Sequence, residues 1–415
     1  MILWQSYKLT VRLMALDLGK TILQLDRVAQ GLAGTHSGRR ARLTALLEAA
    51  SRISPEVARE KTQAATNLPY MAAQVEDSLT GSYTPTPPPP DWCAVSVDGS
   101  HIDVDRHLPV PCYLVNLGGC VLTYGSQPNA CFFSQPRLAA DLSELYLSDP
   151  ASPNSEEAIT GPLLGMLRTV WELERLVEVI KECPADLPTL ALVDGTLVLW
   201  GLSGQGYRPF VRKAVLHERF LPALDQLREL AQRRPLTLAA YVSLPRTTEV
   251  ANAIRCCLCP HDLQRCRESC SNRRSALSPC DAGNGFLDRE LFNELLEPGW
   301  RSALYRTNPA AAQEYYGENQ VYFYYLHSGQ EIARVEVPQW TARDETLLAL
   351  GHSLLVEQCR KGPGYPVAIS EAHQQAVITG SDRQLFKQIV AEALERQGLP
   401  TYTSEKERSK QRPWL

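Results

Sequence analysis

The sequence lacks the long apolar runs of membrane proteins, and it has little excess charge of either sign. No stretch of its 415 residues is apolar for the roughly 20 positions that a membrane-spanning helix needs. The formal net charge of −4 means that any nucleic-acid binding must rest on local basic groups. The N-terminal residues have neither the uninterrupted apolar core nor the small-residue cleavage site of a secretory signal. We therefore expect a cytoplasmic protein whose twelve cysteines are reduced thiols, unless a metal gathers some of them.

The first part of the chain has helical periodicity and ends at a run of prolines. Leucines at helical spacing predict amphipathic helices within residues 1–83, which serve either as an interface or as packing on their own domain. Residues 84–91 contain consecutive prolines, which favour extended polyproline II geometry. We interpret this segment as a linker, followed by the main domain at residues 92–400 and a charged tail at residues 401–415.

Two aspartates stand at the ends of apolar runs. Asp98 ends the run AVSVD and Asp194 ends the run LALVD, and each is followed by glycine and a hydroxyl residue. One such Asp-Gly pair alone is typical of a simple turn. Two pairs on neighbouring strands would bring two carboxylates together, and their repulsion would be relieved by a cation. The pattern therefore predicts a site for Mg²⁺ or Mn²⁺.

The order of the predicted elements indicates the fold class. The strand of Asp98 is followed by PCYLVNLGG and CVLTYG, which predict two further strands of an antiparallel meander. A helix then alternates with parallel strands, the first ending at Asp194 and the next being LTLAAYVSL. This order predicts an α/β protein with a ribonuclease-H-like mixed sheet flanked by helices. Further on, NQVYFYYLHSGQEIARVEVPQW predicts a hairpin with one buried face.

A third oxygen ligand is expected from the helix between the two aspartates. The candidates are Glu172, Glu174 and Glu178. At 3.6 residues per turn, Glu174 and Glu178 are expected on the apolar face of the helix, and Glu172 is expected to point away. We prefer Glu174, because an acid on an apolar face requires a reason.

These segments, together with AAYVSLPRTTEVANAIR and the later GYPVAISEAHQQAVI, resemble the NurA nuclease family over residues 90–400. The resemblance implies an RNase-H-like core and a manganese- or magnesium-dependent nuclease acting on single strands and 5′ ends in DNA-end processing. It also implies a homodimer that works with a hexameric HerA-type DNA translocase. Carried onto this sequence, the metal-binding acids are Asp98, Glu174 and Asp194, and the family's late tyrosine and histidine are Tyr365 and His373.

Phosphodiester hydrolysis suits these residue types. Two cations held by three carboxylates activate a water and stabilise charge on the phosphoryl and leaving oxygens. His373, expected to open a helix after the short strand GYPVAIS, is a candidate proton donor or additional ligand. Tyr365 begins that strand, and Tyr241 and Arg246 lie in and after LTLAAYVSL, where each is a candidate DNA contact. A structural role remains the alternative for the tyrosines and the histidine.

Six of the twelve cysteines fall within residues 256–280, an insertion that also contains His261. The spacings of Cys256 to Cys259 and of Cys266 to Cys270 resemble those of metal-ligand pairs, and Cys280 and His261 are further candidate ligands. The segment has few apolar residues, which favours a structural zinc or an iron–sulfur cluster. A flexible insertion with reduced thiols is an equal alternative.

Two other functional classes remain open. A different ribonuclease-H-like enzyme, cleaving RNA or RNA–DNA hybrids, would share the metal but not the substrate. A non-catalytic DNA-binding scaffold would keep the fold and bind without cleaving. Activity measured on single-stranded DNA, duplex DNA and RNA–DNA hybrid separates these classes.

Overall fold

The computed structural model describes residues 17–65, 68–105, 110–202, 206–266, 279–307 and 314–399. Its strands, in chain order, are β1 (Gln74–Val75), β2 (Ser82–Tyr83), β3 (Trp92–Ile102), β4 (Tyr113–Tyr124), β5 (Asn129–Ala139), β6 (Tyr146–Asp149), β7 (Ser152–Ala158), β8 (Thr189–Asp194), β9 (Leu236–Val242), β10 (Arg301–Ser302), β11 (Tyr305–Arg306), β12 (Val321–His327) and β13 (Ile332–Pro338). Its α-helices, in chain order, are α1 (Leu18–Ser51), α2 (Pro55–Ala64), α3 (Leu142–Leu145), α4 (Gly161–Glu182), α5 (Pro209–Arg212), α6 (Leu221–Ala231), α7 (Glu249–Leu258), α8 (Asp288–Leu295), α9 (Gln339–Ala342), α10 (Glu345–Lys361), α11 (Val367–Ala376) and α12 (Gly380–Arg396). A π-helical stretch, Lys213–Phe220, joins α5 to α6.

One mixed sheet of eleven strands organises the molecule. Its hydrogen-bonded order is β1-β11-β12-β13-β9-β8-β3-β4-β5, and β10 pairs with both β12 and β2. Strands β3, β4 and β5 form an antiparallel meander. Strand β8 runs parallel to β3, and β9 runs parallel to β8. The predicted α/β architecture, a meander followed by parallel strands, is confirmed.

Helices cover both faces of the central strands. On one face, α4 and α6 pack against Val95 and Val97 of β3. On the other face, α10 and α11 pack against Ala94 of β3 and Tyr241 of β9. Because successive residues of a strand point to opposite faces, β3 contributes alternate side chains to two separate cores. Among the described residues, no helix combines the length and the hydropathy that crossing a membrane would need.

The two strands predicted from PCYLVNLGG and CVLTYG are one continuous strand, β4, and the third strand of the meander is β5. Gly118 and Gly119 lie inside β4 instead of marking a turn. A Cβ on Gly118 would lie 2.1 Å from the backbone nitrogen of Ala376, and a Cβ on Gly119 would lie 2.3 Å from the ring of Phe133. Glycine inside a strand often marks such a close approach, which the sequence pattern alone does not distinguish from a turn.

The N-terminal segment is not wholly helical. Helix α1 is continuous over 34 residues and includes Leu23, whereas Leu9, Leu13 and Leu16 lie outside the described residues. Leu43 of α1 joins a third core with α2, α7 and α8. Strands β1 and β2 pair with β11 and β10. The residues before the proline run therefore contribute to the same sheet as the main domain.

Strands β12 and β13 form the predicted hairpin, with Gly329 in the turn at φ +102°. Both strands are buried on both faces rather than on one. The reason is their position inside the sheet, where different cores cover alternate residues of β12.

The late segment GYPVAIS, predicted as a short strand, lies mainly in helix α11. His373 is in the last turn of this helix instead of at its start. Ala368, Ala372 and Ala376, at four-residue spacing, are fully buried, and they allow α11 to pack closely on the sheet. The prediction was wrong because a short apolar run is compatible with either a strand or a buried helix.

Candidate active site

The carboxyl ends of β3 and β8 meet at one edge of the parallel part of the sheet. Asp194 is the last residue of β8, as predicted, whereas Asp98 lies inside β3, which continues through Gly99 to Ile102. The prediction that Asp98 ends its strand was therefore wrong. The parallel register pairs Ser96 with Leu192, so each aspartate lies two residues beyond this pair and on the same face of the sheet. The two aspartates are therefore neighbours, as their motifs predicted.

Helix α11 brings His373 to Asp98. The Nδ1 atom of His373 lies 2.8 Å from Oδ2 of Asp98, and Oδ1 of Asp98 accepts a hydrogen bond from the backbone N–H of Gly99 at 2.8 Å. The side chain of His373 is 55% exposed. The carboxylate thus orients an imidazole ring that remains accessible to a ligand from solvent.

Tyr365, just before α11, contacts the other aspartate. Its hydroxyl donates a hydrogen bond to Oδ1 of Asp194 at 3.2 Å, and its ring packs edge-on against Tyr241 with centroids 5.3 Å apart. Burial is the main cause that raises the pKa of Tyr365 above its ordinary value, and the charge of Asp194 is the second. The tyrosine therefore keeps its proton and acts as a donor to Asp194 at neutral pH.

The third carboxylate at this edge is Glu172 of α4, which is only 7% exposed. It approaches from the opposite face of the sheet past Gly99, where an added Cβ would lie 2.6 Å from Oε1 of Glu172. Burial, helped by the charges of Asp98 and Asp194 and opposed by Arg168, raises the pKa of Glu172 to about 8. Desolvation and like charges both disfavour the ionised form of this carboxyl group.

Glu174 and Glu178 lie away from this edge. Glu174 forms a bidentate ion pair with Arg219 at 2.8 and 2.5 Å, and Glu178 pairs with Arg175 at the surface. The expectation that Glu172 points away from the apolar face of the helix was wrong, because Glu172 is among the buried residues of α4. A helical wheel ranks faces by their apolar residues, and it cannot show that a glycine on the facing strand leaves room for a carboxylate.

The donors at this edge are of the kind that a hard divalent cation prefers. Oε1 of Glu172 is buried without a hydrogen-bond partner, and an unsatisfied buried acceptor typically costs about 1–3 kcal/mol. Asp194 keeps contact with solvent, yet desolvation and then the charge of Asp98 raise its pKa. Carboxylate oxygens are suitable ligands for Mg²⁺ or Mn²⁺, so the residues fit such an ion. In the part of the chain that the structure describes, they do not form a preformed cluster at ligand distances.

A family profile described as the NurA domain matches residues 94–378. The chain belongs to the NurA family. The matched range runs from β3 to just after α11 and includes Asp98, Glu172, Asp194, Tyr365 and His373. Membership of this nuclease family supports a nuclease role for the chain.

Solved NurA structures resemble the chain over most of its length. The NurA nuclease from Sulfolobus solfataricus aligns with a TM-score of 0.47 at 12% identity, covering 92% of this chain and 98% of that chain. A structure of NurA with manganese aligns with a TM-score of 0.35 at 11% identity, covering 85% of this chain and 96% of that chain. The C-terminal lobe of a budding yeast Argonaute aligns with a TM-score of 0.25 at 9% identity, over 75% and 50% of the two chains. No curated protein matches the chain in sequence.

A buried carboxylate that the sequence reasoning missed holds the turn after Asp194. Oε2 of Glu336 accepts hydrogen bonds from Oγ1 of Thr196 at 2.7 Å and from the N–H of Leu197 at 2.9 Å. Its Oε1 accepts from Nε of Arg334 at 2.9 Å. Charged residues in an alternating strand predict a solvent face, so the sequence offered no signal for this buried support.

One of the three predicted DNA contacts is not accessible from solvent. Tyr241 is fully buried, and its hydroxyl donates to Oε1 of Glu331 at 2.8 Å. The predicted DNA-binding role of Tyr241 was therefore wrong, and its ring instead supports Tyr365. Arg246 is exposed between β9 and α7, and it stays a predicted contact.

The cysteine-rich insertion shows no metal site in its described portion. Cys256 and Cys259 are buried in an apolar cluster with Leu263, which provides the packing reason that the sequence did not reveal. Burial raises the pKa of Cys256 to about 12, which favours a neutral thiol. Within the described part of residues 256–280, no three or more Cys, His, Asp or Glu side chains lie close enough together to hold a metal ion. Cys270 lies outside those ranges, so the predicted zinc or iron–sulfur site finds no support and elemental analysis remains its test.

Proposed function

We propose that the chain is a DNA nuclease in which Asp98, Glu172 and Asp194 hold Mn²⁺ or Mg²⁺ for phosphodiester hydrolysis. One observation carries the proposal: three carboxylates converge at one sheet edge beside the exposed histidine His373. Glu172 replaces Glu174 in this role because its buried Oε1 has no hydrogen-bond partner, whereas both carboxylate oxygens of Glu174 are engaged by an arginine.

The side chains divide the chemistry among them. Bound divalent cations supply charge stabilisation for the phosphate oxygens and a water of lowered pKa. The Asp98 carboxylate accepts a hydrogen bond from Nδ1–H of His373, which leaves Nε2 as the nitrogen that exchanges a proton with the substrate. We assign His373 the protonation of the leaving oxygen. Tyr365 restrains Asp194 by donating to one of its two oxygens.

We further propose single-stranded DNA and 5′ ends as the substrate, cleaved by endonuclease and 5′-to-3′ exonuclease activity during DNA-end resection and repair. Membership of the NurA family supports this substrate class. Arg246 offers an exposed guanidinium, the kind of group that fixes a phosphate backbone.

A homodimer working with a hexameric HerA-type ATPase is the proposed assembly. The first turns of α1 expose five large apolar residues, Leu18, Ile22, Leu23, Leu25 and Val28. A group of exposed apolar residues of this kind supports an interface. A net charge of −4 gives little bulk attraction to DNA, so a partner that feeds the strand would sustain activity.

Light scattering tests this assembly, together with degradation of duplex ends in the presence of a HerA-type ATPase and ATP. We expect a dimer in solution and faster degradation with the ATPase. A stable monomer whose activity does not respond to the ATPase would contradict the assembly while leaving the isolated nuclease intact.

The variants Asp98→Asn and Asp194→Asn test the active site. Each is expected to lower the rate of Mn²⁺-dependent cleavage by roughly 100-fold or more, which is typical when a catalytic group is lost. Neither substitution is expected to unfold the protein. Asp149→Asn is a matched control, because Asp149 also ends a strand but only caps the N–H of Ala151 in a turn. Its activity should stay at the wild-type level.

Single-stranded DNA, duplex DNA and RNA–DNA hybrid serve as parallel substrates for these variants. Near-normal cleavage by either site variant would show that the site is misplaced. Cleavage of the hybrid alone would contradict the substrate class, and DNA binding without metal-dependent cleavage by the wild type would identify a scaffold.

A further inference from the structure

Arg168 lies among the site carboxylates, and the chemistry above gives it no role. It precedes Glu172 by one turn of α4. Its Nη1 donates a hydrogen bond to the backbone carbonyl oxygen of Gly99 at 2.5 Å, and its Nε lies 3.3 Å from Oε1 of Glu172. One guanidinium therefore connects the strand residue next to Asp98 with the carboxylate that arrives from the helix.

Arg168 and Glu172 share the space left by one missing side chain. An added Cβ on Gly99 would lie 2.9 Å from Cγ and 3.2 Å from Cδ of Arg168, and 2.6 Å from Oε1 of Glu172. The Arg168 side chain is only 32% exposed. Its stem thus packs on the strand backbone directly beside Glu172, and movement of one side chain would disturb the other.

The contact leaves the Glu172 oxygen available. Nε of Arg168 and Oε1 of Glu172 are close enough for an ion pair, yet both are buried atoms without a hydrogen-bond partner. The guanidinium makes its hydrogen bond to the backbone instead. This geometry restrains the carboxylate laterally and leaves Oε1 without a hydrogen bond.

We propose that Arg168 is a positioning residue that holds Glu172 in the orientation in which it receives a divalent cation. This inference rests on the proposed function, because it takes Asp98, Glu172 and Asp194 as the cation site. The alternative role is a counter-charge that the cation displaces. The two roles predict opposite results when the charge of Arg168 is removed. Loss of a counter-charge that the cation displaces should strengthen cation binding, whereas loss of a positioning residue should weaken it.

Mn²⁺ binding to the full-length protein, prepared free of metal, measures the difference. Isothermal titration calorimetry and the paramagnetic resonance signal of free Mn²⁺ are recorded at one pH and one ionic strength. Arg168→Gln removes the charge, and Arg168→Lys keeps the charge but loses the planar fork. Arg175→Gln is the matched control, because Arg175 also pairs with a glutamate of α4, but that glutamate, Glu178, is 61% exposed and lies away from the site.

We expect Mn²⁺ to bind roughly 10- to 100-fold more weakly to both Arg168 variants, as is typical when a group that orients a metal ligand is lost. Arg175→Gln should bind Mn²⁺ as the wild type does. The melting temperature of the metal-free Arg168 variants should stay near that of the wild type. Cleavage by these variants should reach half its maximum at a higher Mn²⁺ concentration and approach the wild-type rate at saturation, a split that a purely structural defect would not produce.

Equal or tighter Mn²⁺ binding by Arg168→Gln would overturn the proposal and identify a counter-charge. Normal binding by Arg168→Lys would also overturn it, because the geometry of the fork would then be irrelevant. Should Arg168→Gln fail to fold, Arg168→Lys decides alone, since it keeps the charge. A wild type that binds no Mn²⁺ would refute the proposed function itself, whereas normal wild-type binding with unaffected variants would refute only the role of Arg168.

Discussion

Replacing Glu172 by glutamine should change stability and activity in opposite directions. In the metal-free protein, burial raises the pKa of Glu172 from 4.5 to about 8. Below pH 4.5 the carboxyl group is protonated in both the folded and the unfolded chain. Between pH 4.5 and 8 the unfolded chain releases this proton while the folded chain keeps it, so the free energy of unfolding falls as the pH rises.

The size of this effect follows from the two pKa values. A difference of one in pKa corresponds to about 1.4 kcal/mol, so ionisation of Glu172 destabilises the metal-free protein by at most about 5 kcal/mol above pH 8. Glutamine at this position has a similar shape and no charge to bury. We therefore expect Glu172→Gln to be more stable than the wild type at pH 8.5, by several kcal/mol, and to lack Mn²⁺-dependent cleavage.

Urea unfolding between pH 5.5 and 8.5, with a chelator present, measures the prediction. The difference between the wild-type and Glu172→Gln curves isolates Glu172, because the remaining groups titrate in both proteins. Glu174→Gln is the control: it loses a partly exposed ion pair with Arg219, which is worth about 1 kcal/mol or less. This control should keep both the pH dependence and the nuclease activity.

Two results would contradict the role given to Glu172. Equal stability of the wild type and Glu172→Gln at pH 8.5 would show that the folded protein pays no penalty for this charge. Loss of cleavage in Glu174→Gln, with activity retained in Glu172→Gln, would reverse the assignment of the third carboxylate.

Two further substitutions, Gly99→Ala and Tyr365→Phe, test the same site, and Gly165→Ala is the control for the first. Gly99→Ala should displace Glu172, because its Cβ would lie 2.6 Å from Oε1; we expect weak Mn²⁺ binding and a stability loss of about 1–3 kcal/mol. Gly165→Ala on α4 meets no atom within 4 Å, so it should keep activity and unfold at a slightly higher urea concentration; equal loss of Mn²⁺ binding in both variants would contradict the explanation. Tyr365→Phe removes the hydrogen bond to Asp194, and steady-state assays should show cleavage reduced about tenfold or more in a folded protein. A wild-type rate in that variant would show that Asp194 needs no such donor.

The adjacency of the two aspartates and the order of the sheet were predictable from the sequence, because both depend on local patterns. Apolar runs ending in acids place Asp98 and Asp194 at equivalent positions of two neighbouring parallel strands, although only Asp194 ends its strand. Tyr365 and His373 were found through a family motif, although the local structure expected around them was wrong. Their contacts with the aspartates depend on how α11 packs, which no local pattern specifies.

The third carboxylate could not be chosen from the sequence. Glu172 and Glu174 are two residues apart on one helix, and their roles are set by what faces them: Gly99 in one case and Arg219 in the other. The buried support from Glu336 was missed for the same reason, since its partner Thr196 lies 140 residues away in the chain. Long-range packing decides these positions.

The contact between α11 and β4 has a consequence for relatives of this chain. Gly118 is the residue paired with Asp98 across the two strands, and its Cα faces the main chain of Ala376, three residues after His373. The backbone of α11 thus contacts the backbone of β4, and this contact sets the distance between His373 and Asp98. Substitutions among the apolar core residues leave the contact in place. Divergence of the core can proceed without moving the reacting groups, whereas any side chain opposite the first aspartate displaces the histidine.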